Sequence, residues 1–234
     1  MLLRFEQVVR QFPAAEPGAP PRRVLDGVDF SLEPGQVVAL VGRSGAGKTT
    51  LLHLASGLDQ PDAGHVWFDG RDLAAMTPAQ TSRLRRHRIG LVFQNNLCLN
   101  ALPVWENVAL PLLMTHTQRR QARRQAEAIL EQVGLEGLAD ASTAVLSGGQ
   151  RRRLGIARAM LGRPDLLLAD EPTADLDEET GARIERMLFD WLLAERRAAP
   201  PVTASEAAPA AQPVAPSAET YAATAPAPPQ APGE

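Results

Sequence analysis

The alternation of apolar and polar positions divides the chain into strands and helices. Two alternating stretches, 2–12 and 24–32, flank a loop rich in proline and glycine, which is typical of strands that pair with each other. A further short stretch, 64–70, predicts another strand. Longer runs of consecutive apolar residues predict strands that are buried on both faces, at 36–42, 88–94 and 165–171.

Apolar positions at helical spacing predict helices between these strands. Helices are expected at 48–57, at 105–133 with a break at Pro111, at 147–161 and, capped by Asp177, over a stretch whose apolar face includes Ile184, Leu188, Trp191 and Leu192. Strands that alternate with helices favour an α/β fold with a mostly parallel sheet. The paired strands at the start add an antiparallel part.

Composition changes sharply after Ala198. From there to the end of the sequence, alanine and proline dominate, and neither lysine nor arginine occurs. Such a segment buries too little apolar surface to offset the conformational entropy that it would lose on ordering. We therefore expect a folded part at 1–197 and a disordered tail at 198–234.

Charge and cysteine content narrow the classes of function. A net charge of −3 gives no general attraction to nucleic acid, and the basic runs 83–88 and 119–124 are interpreted as solvated helix faces. The single cysteine, Cys98, excludes an internal disulfide and is interpreted as a small buried residue rather than a reactive thiol. The N-terminus lacks a signal-peptide pattern and no apolar run is long enough to cross a bilayer, so a cytoplasmic chain is expected.

The segment GRSGAGKT (42–49) has the spacing G-x-x-x-x-G-K-[ST] between a predicted strand and a predicted helix. Glycines at this spacing let backbone N–H groups turn toward phosphate oxygens, and the start of the helix adds positive potential. Lys48 is expected to reach the β- and γ-phosphates, and Thr49 to offer its hydroxyl to Mg²⁺. The sequence therefore predicts binding of ATP and Mg²⁺, with these candidate residues: Gly42, Ser44, Gly45, Gly47, Lys48, Thr49 and Thr50.

The segment LLLADE (166–171) supplies acidic groups for the same chemistry. Its buried strand is expected to carry Asp170 toward the Mg²⁺ shell and to place Glu171 beside it. A carboxylate next to the γ-phosphate orients or deprotonates the attacking water, so Glu171 is a candidate catalytic residue. Adjacent acids at a strand end are otherwise surface charges, but the phosphate loop upstream in the same chain favours the catalytic interpretation.

The segment LSGGQ (146–150) predicts a second phosphate-binding helix end, because a serine and two glycines open the helix that follows. Its candidate phosphate contacts are Ser147, Gly148, Gly149 and Gln150. With GRSGAGKT upstream and LLLADEP downstream, this pentapeptide resembles the signature of the ATP-binding cassette (ABC) ATPases. The resemblance extends from about Leu2 to Arg197.

The resemblance implies a P-loop NTPase-like fold and further site residues. It implies a mostly parallel sheet with an antiparallel N-terminal β subdomain, and a helical subdomain at about 95–160. Gln94 matches the family's glutamine that senses Mg²⁺ and the membrane partner and is a second candidate catalytic residue, so the expected metal site is Thr49, Gln94 and Asp170. Phe12 lies where an aromatic ring stacks on adenine, although a phenylalanine at a strand end is equally consistent with core packing.

In this family two cassettes pack head to tail, so that Ser147 and its glycines complete the nucleotide site of the other subunit. Asp177 matches the aspartate of the family's D-loop. Segments 51–70 and 107–114 are similar to cassettes of the lipoprotein-release and macrolide-export type, which energise a membrane partner. The implied partners are transmembrane permease subunits and a second cassette, in a homo- or heterodimer on the cytoplasmic face of the inner membrane.

The apolar segment 95–108 leaves two interpretations open. Three of its side chains fit either core packing or a groove that accepts a helix of the membrane partner: Leu97, Leu99 and Trp105. Leu110 and Leu113, just beyond it, are interpreted as core residues.

One residue that the family carries is absent. Family members have, after the last predicted helix, a buried strand that closes in Thr-His-Asp, whose histidine donates to the γ-phosphate. Ala204 falls on that position here, and no histidine follows His116. Loss of one preorganised donor costs on the order of 10²–10³ in rate. Two functions therefore stay open: an ATPase that drives a membrane partner, and an ATP-binding cassette with impaired hydrolysis, either truncated or regulatory.

The same segment affects the predicted sheet. The resemblance places the strand before Ala204 between the strands at 36–42 and 165–171. Pro200 and Pro201 have no N–H group and cannot donate to a central ladder. The sequence therefore predicts a defect in the middle of the parallel sheet.

Overall fold

The computed structural model describes residues 1–14, 20–93, 98–115, 117–173, 176 and 178–198. The strands are β1 (Leu3–Phe12), β2 (Arg22–Leu32), β3 (Ala63–Phe68), β4 (Arg71–Asp72), β5 (Ile89–Val92) and β6 (Leu166–Ala169). The helices are α1 (Lys48–Ala55), α2 (Pro78–His87), α3 (Val104–Leu113), α4 (Arg119–Gln132), α5 (Gly148–Leu161) and α6 (Glu178–Ala198). Asp177 and the tail from 199 onward lie outside the described residues, so the predicted helix cap and the predicted disorder stay predictions.

The first strands form a four-stranded antiparallel sheet in the order β2-β1-β3-β4. In the middle of it, Phe5 of β1 lies opposite both Phe30 and Val66. The Phe5 ring meets the Phe30 ring edge-on, with 6.2 Å between the ring centroids. A bulge after Phe5 shifts the register, so that Val8 is buried as well as Leu3 and Phe5. The paired strands predicted from the start of the sequence are confirmed.

β5 and β6 form a separate parallel pair along their whole length. The buried strands predicted at 88–94 and 165–171 are thus confirmed, each shorter than predicted. Gly90 lets α5 lie close against β5, because a Cβ added at this position would come within 2.5 Å of the carbonyl oxygen of Ala159. The described part of the chain therefore contains both the antiparallel and the parallel part of the expected α/β fold.

The apolar run 36–42 forms no strand, so the strand predicted there is wrong. No strand among the described residues pairs with it, and Val37 and Val41 are 46% and 55% exposed. Val38 is half-buried, against the core that lies beneath the antiparallel sheet. A buried strand needs hydrogen-bonding neighbours for its backbone groups, and the described residues provide none on either side. The exposed run lies where the sequence predicts a sheet defect.

The break predicted within the helical stretch 105–133 is displaced. α3 continues through Pro111 and ends at Leu113. Proline removes one N–H donor from the helix, but the chain stays helical beyond it because the N–H of Met114 donates to the carbonyl of Leu110. The break follows the proline instead of coinciding with it.

Helices α3, α4 and α5 pack around a second core, to which α6 contributes Ile184. Its other fully buried side chains include Val104, Val108, Ala122, Ala126, Leu130, Leu154, Ile156 and Met160. Leu113, Leu188 and Trp191 pack against this core, as the sequence predicts. No helix in the described part of the chain combines the length and the apolar character needed to cross a membrane.

Trp105 belongs to the same core, so the interpretation in which it lines a groove for a membrane helix is wrong. Its side chain is 3% exposed, and the guanidinium groups of Arg119 and Arg123 lie 4.9 and 5.4 Å from its ring centroid. Leu99 is exposed and stays compatible with such a groove. Leu97 lies outside the described residues.

Candidate functional site

The segment 42–49 forms a loop that ends at the start of α1, as the sequence predicts. Gly47 has a φ of 91°, and a Cβ added there would lie 3.0 Å from the side chains of Val24 and Leu25. Glycine is required here both for this backbone conformation and for the close approach of the loop to β2. Because Gly47 has no side chain to cap α1, the first N–H groups of the helix stay available to an anion.

Lys48 is the only lysine in the 234-residue sequence. Its Nζ donates to the carbonyl oxygens of Gly42 at 2.8 Å and of Arg43 at 3.2 Å, which fixes the side chain across the loop. A lysine ammonium is a compact charge with rotatable donors. It can therefore exchange these carbonyl oxygens for phosphate oxygens with little movement of the backbone.

The hydroxyl of Thr49 donates to the carboxylate of Asp170 at 2.7 Å and joins residues that are 121 positions apart. The backbone of Asp170 is held to the end of β5, because its N–H donates to the carbonyl of Val92. The fold thus brings together the two motifs that the sequence singled out separately. Hydroxyl and carboxylate oxygens are the ligand types that Mg²⁺ prefers, and these are two of the three expected metal ligands. The third, Gln94, lies outside the described residues.

Glu171 follows Asp170 directly and has a φ of 48°, in the left-handed region. Its backbone carbonyl accepts a hydrogen bond from Nη1 of Arg152 at 2.7 Å, and Arg152 is 6% exposed. This contact was not predicted from the sequence, because a run of three arginines is typical of a solvated helix face. A signal was present nonetheless: Arg152 precedes the buried residues Ile156 and Ala159 at helical spacing.

Ser147 caps α5, as the sequence predicts. Its Oγ accepts from the N–H of Gln150 at 3.2 Å, and the Gln150 side chain accepts from the N–H of Ser147 at 2.8 Å. Ser147 and Gly148 are exposed, whereas Gly149 lies close to the side chain of Leu176. Within the described residues, no hydrogen bond joins this motif to the loop at 42–50. The LSGGQ motif is therefore an exposed helix start with no hydrogen bond to the phosphate loop of its own chain.

The ring of Phe12 is 37% exposed, which excludes its interpretation as a core residue. The guanidinium of Arg10 lies 4.9 Å from its centroid and is bonded to Asp59 and Asp62. The N–H of Gln11 lowers the pKa of Asp62, burial opposes this effect, and Arg10 adds to the lowering. The accessible ring is compatible with stacking on a nucleotide base.

The segment from Leu99 to Leu102 is held to α3 by the buried side chain of Asn107. Its amide accepts from the N–H of Leu99 at 2.7 Å and donates to the carbonyls of Leu99 and Leu102 at 3.0 Å each. Cys98 is half-buried beside them, and burial raises the pKa of its thiol, while the charge of Arg158 opposes this shift. A thiol with a raised pKa is a weak nucleophile at neutral pH, in agreement with the packing role expected for Cys98.

The described site therefore offers three kinds of group. An uncapped helix start and one ammonium suit an anion, a hydroxyl–carboxylate pair suits a divalent cation, and a second carboxylate lies next to that pair. Such a set is suited to binding and cleaving a nucleoside triphosphate. Gln94, Asp177 and Ala204 lie outside the described residues, so the roles assigned to these positions stay predictions.

Comparison with known proteins supports this interpretation. Residues 25–174 match the protein family described as ABC transporter. The chain is 45% identical over 167 residues to the lipoprotein-releasing system ATP-binding protein LolD of Nitratidesulfovibrio vulgaris, which covers 71% of this chain and 72% of that protein. It is 40% identical over 190 residues to the cell division ATP-binding protein FtsE of Escherichia coli K12, which covers 81% of this chain and 82% of that protein.

A solved structure shows the same architecture. The dimeric post-hydrolysis state of the ATP-binding cassette MJ0796, bound to ADP and Pi, matches with a TM-score of 0.78 and 31% identity over 83% of this chain and 84% of that chain. This likeness confirms the predicted fold class, and the family match confirms the resemblance that rests on the three motifs. The chain belongs to the ABC transporter family, as one of its ATP-binding cassettes.

Proposed function

We propose that this chain is the ATP-binding subunit of an ABC transporter, and that it binds and hydrolyses MgATP to drive a membrane partner. The observation that carries the proposal is the 2.7 Å bond between Thr49 and Asp170. It joins the phosphate loop to the acidic strand end at the uncapped start of α1. ABC cassettes as a family are ATPases, and the relatives identified above carry the words "ATP-binding" in their names.

The residues present fit Mg²⁺ by their chemistry. Thr49 and Asp170 supply oxygen ligands, and Gln94 is the expected third residue, by resemblance. When bound, Mg²⁺ supplies positive charge that neutralises the phosphate oxygens. This site therefore needs no nitrogen or sulfur ligand from the chain.

The proposed roles of the other residues follow from their positions. Lys48 exchanges the carbonyls of Gly42 and Arg43 for the β- and γ-phosphates. Glu171, next to Asp170 and exposed, orients or deprotonates the attacking water. The exposed ring of Phe12 stacks on the adenine.

The proposed assembly is a pair of cassettes bound to membrane permease subunits. The LSGGQ motif supports this arrangement, because it is exposed and makes no hydrogen bond to the phosphate loop of its own chain in the described residues. In a head-to-tail dimer, Ser147 and its glycines contact the nucleotide of the other subunit. The cassette MJ0796 is itself dimeric. Such an assembly places this chain on the cytoplasmic face of the membrane that holds the permease.

Equilibrium binding of MgATP tests the nucleotide site. Lys48→Ala should weaken binding on the order of a hundredfold, because the variant loses charged hydrogen bonds to phosphate. Arg71→Ala is the matched control, since it removes one positive charge from an exposed position on β4. Equal affinity in the Lys48 variant and the wild type would contradict the site.

Phosphate release tests hydrolysis separately. The wild-type chain should release phosphate from ATP. The variant Glu171→Gln should bind ATP but release no phosphate. A wild type that binds ATP but releases no phosphate would contradict the proposed hydrolysis but not the proposed nucleotide-binding site. The described residues give no support to the alternative of an impaired cassette, because Ala204 lies outside them.

A further inference from the structure

Arg152 is a charged residue in a buried position. It lies in the first half of α5, shortly after the capping residue Ser147, and is 6% exposed. Its Nη1 donates to the backbone carbonyl of Glu171 at 2.7 Å. An arginine is rarely buried unless its donors have acceptors, so this contact is part of what makes the buried position possible.

The acceptor belongs to a residue in a disfavoured conformation. Glu171 has a φ of 48°, which is uncommon for a residue that carries a Cβ. This angle sets the direction in which the Glu171 side chain leaves the backbone. A hydrogen bond to the same residue's carbonyl therefore stabilises the direction of the carboxylate, and Arg152 acts on it through the backbone.

Helix α5 connects this contact with the LSGGQ motif. The helix is continuous from Gly148 to Leu161, and Leu154 and Ile156 are fully buried within it. Such packing makes the helix move as a unit. Arg152 lies about 7.5 Å along the helix axis from Ser147. The Arg152 side chain therefore offers a route by which a displacement of the motif reaches Glu171.

We propose that Arg152 is a positioning residue that couples the LSGGQ motif to the catalytic carboxylate of the same chain. The inference rests on the proposed function, in which the LSGGQ motif of one cassette contacts the nucleotide of the other. ATP bound at one site then adjusts the Glu171 carboxylate that acts at the second site. The coupling runs through α5, the Arg152 guanidinium and the peptide of Glu171.

Arg153 provides a matched control on the same helix. Its Nη1 donates to the carbonyls of Val133 at 3.0 Å and Gly134 at 2.8 Å, just beyond the end of α4. Arg153→Gln removes the same charge and the same type of hydrogen bond as Arg152→Gln. Arg152→Gln removes the donor to the carbonyl of Glu171, whereas Arg153→Gln removes the donor to the carbonyls of Val133 and Gly134.

Amide hydrogen exchange of the full chain without nucleotide tests the contact. The reporter is the N–H of Leu176, which donates to the carbonyl of Thr173, two positions after Glu171. Arg152→Gln should raise its exchange rate about tenfold. Arg152→Lys, which keeps a charged donor, should raise it less, and Arg153→Gln should leave it unchanged. An unchanged rate in Arg152→Gln overturns the proposal.

The same measurement with MgATP tests the coupling. ATP should slow the exchange of Leu176 in the wild type and in Arg153→Gln, and should fail to slow it in Arg152→Gln at equal ATP saturation. An ATP response that is absent from the wild type, or kept in Arg152→Gln, overturns the coupling. Phosphate release, measured in the same samples, distinguishes the proposed hydrolysis from the proposed coupling. If the wild type releases no phosphate, hydrolysis is contradicted, and the exchange rates of Leu176 still decide whether the coupling exists.

Discussion

The apolar runs VVALVG (37–42) and LLLADE (166–171) border the same proposed site and have the same pattern, but their surroundings differ. The first four residues of LLLADE form β6, which pairs with β5 along its length and buries Leu168. VVALVG pairs with no strand of the described residues and exposes Val37 and Val41. A continuous apolar run gives a segment the ability to become a buried strand. The strand forms only beside a chain that accepts its hydrogen bonds.

The same difference in strand pairing separates the two halves of the proposed site, which are the acidic residues at 170–171 and the phosphate loop at 42–49. Asp170 and Glu171 leave a strand that β5 holds, and Arg152 adds a second attachment from α5. Lys48 follows a run that pairs with no strand in the part of the chain that the structure describes, and its loop is fixed by α1 and by the bonds from its own Nζ. The acidic half therefore follows a paired strand, whereas the phosphate loop is held by α1, by its own lysine and by side-chain contacts with β2 and Asp170.

Truncation of one apolar side chain in each run should give the largest contrast. Leu168→Ala should lower the free energy of unfolding by about 3 kcal/mol, because it opens a cavity in the core. Val37→Ala should change it by about 0.5 kcal/mol, since its side chain is already half in water. Urea unfolding followed by circular dichroism measures both. Similar losses in the two variants would show that VVALVG is packed as tightly as β6.

Addition of one methyl group to a glycine of β5 and to one of VVALVG sharpens the same contrast. Gly90→Ala should cost about 2 kcal/mol, because the new Cβ would lie 2.5 Å from the carbonyl oxygen of Ala159 and force α5 away from β5. Among the described residues, the Cβ of Gly42→Ala meets the side chain of Ala46 alone, at 3.3 Å, and the change should cost about 0.5 kcal/mol. Both changes in stability are read from the same urea transitions. A Gly42 variant as unstable as the Gly90 variant would contradict the open conformation of the run.

Exchange of a methyl group for a hydroxyl, which leaves the size of the side chain almost unchanged, should show the smallest effect. Val92→Thr on β5 should lower the free energy of unfolding by about 1.5 kcal/mol, because it buries a hydroxyl group. Val41→Thr should lower it by about 0.5 kcal/mol or less, because the hydroxyl remains in water. Differential scanning calorimetry of the pair measures the difference. A costly Val41→Thr would indicate that a further segment of the chain covers VVALVG.

Most of the elements could be predicted from the sequence because their patterns are local. The alternation around Phe5 predicts paired strands, and helical spacing predicts α5 with its cap at Ser147. The state of VVALVG could not be predicted in the same way, because it depends on a neighbouring strand and not on its own residues. Pro111 was misplaced as a break for a related reason: a proline near the end of a helix removes one bond, and packing decides where the helix ends.

In the candidate site, too, local patterns could be predicted from the sequence, and contacts between distant parts of the chain could not. The spacing of the phosphate loop predicts Lys48 and Thr49, and the structure adds the bond from Thr49 to Asp170 that local pattern alone does not give. The contact between Arg152 and Glu171 joins two elements that lie apart in the sequence. The apolar residues that follow at helical spacing indicate that Arg152 lies on the inward face of α5, but they do not indicate which carbonyl its guanidinium meets.

Lys48, as the only lysine, has a consequence for chemical labelling. Arginine supplies every other basic side chain apart from histidine, so a reagent that acylates primary amines has one side-chain target among these 234 residues. That target is the Nζ atom that bonds to the carbonyls of Gly42 and Arg43. The degree of acylation at this atom therefore reports the occupancy of the phosphate loop directly, with no need to engineer a probe into the chain.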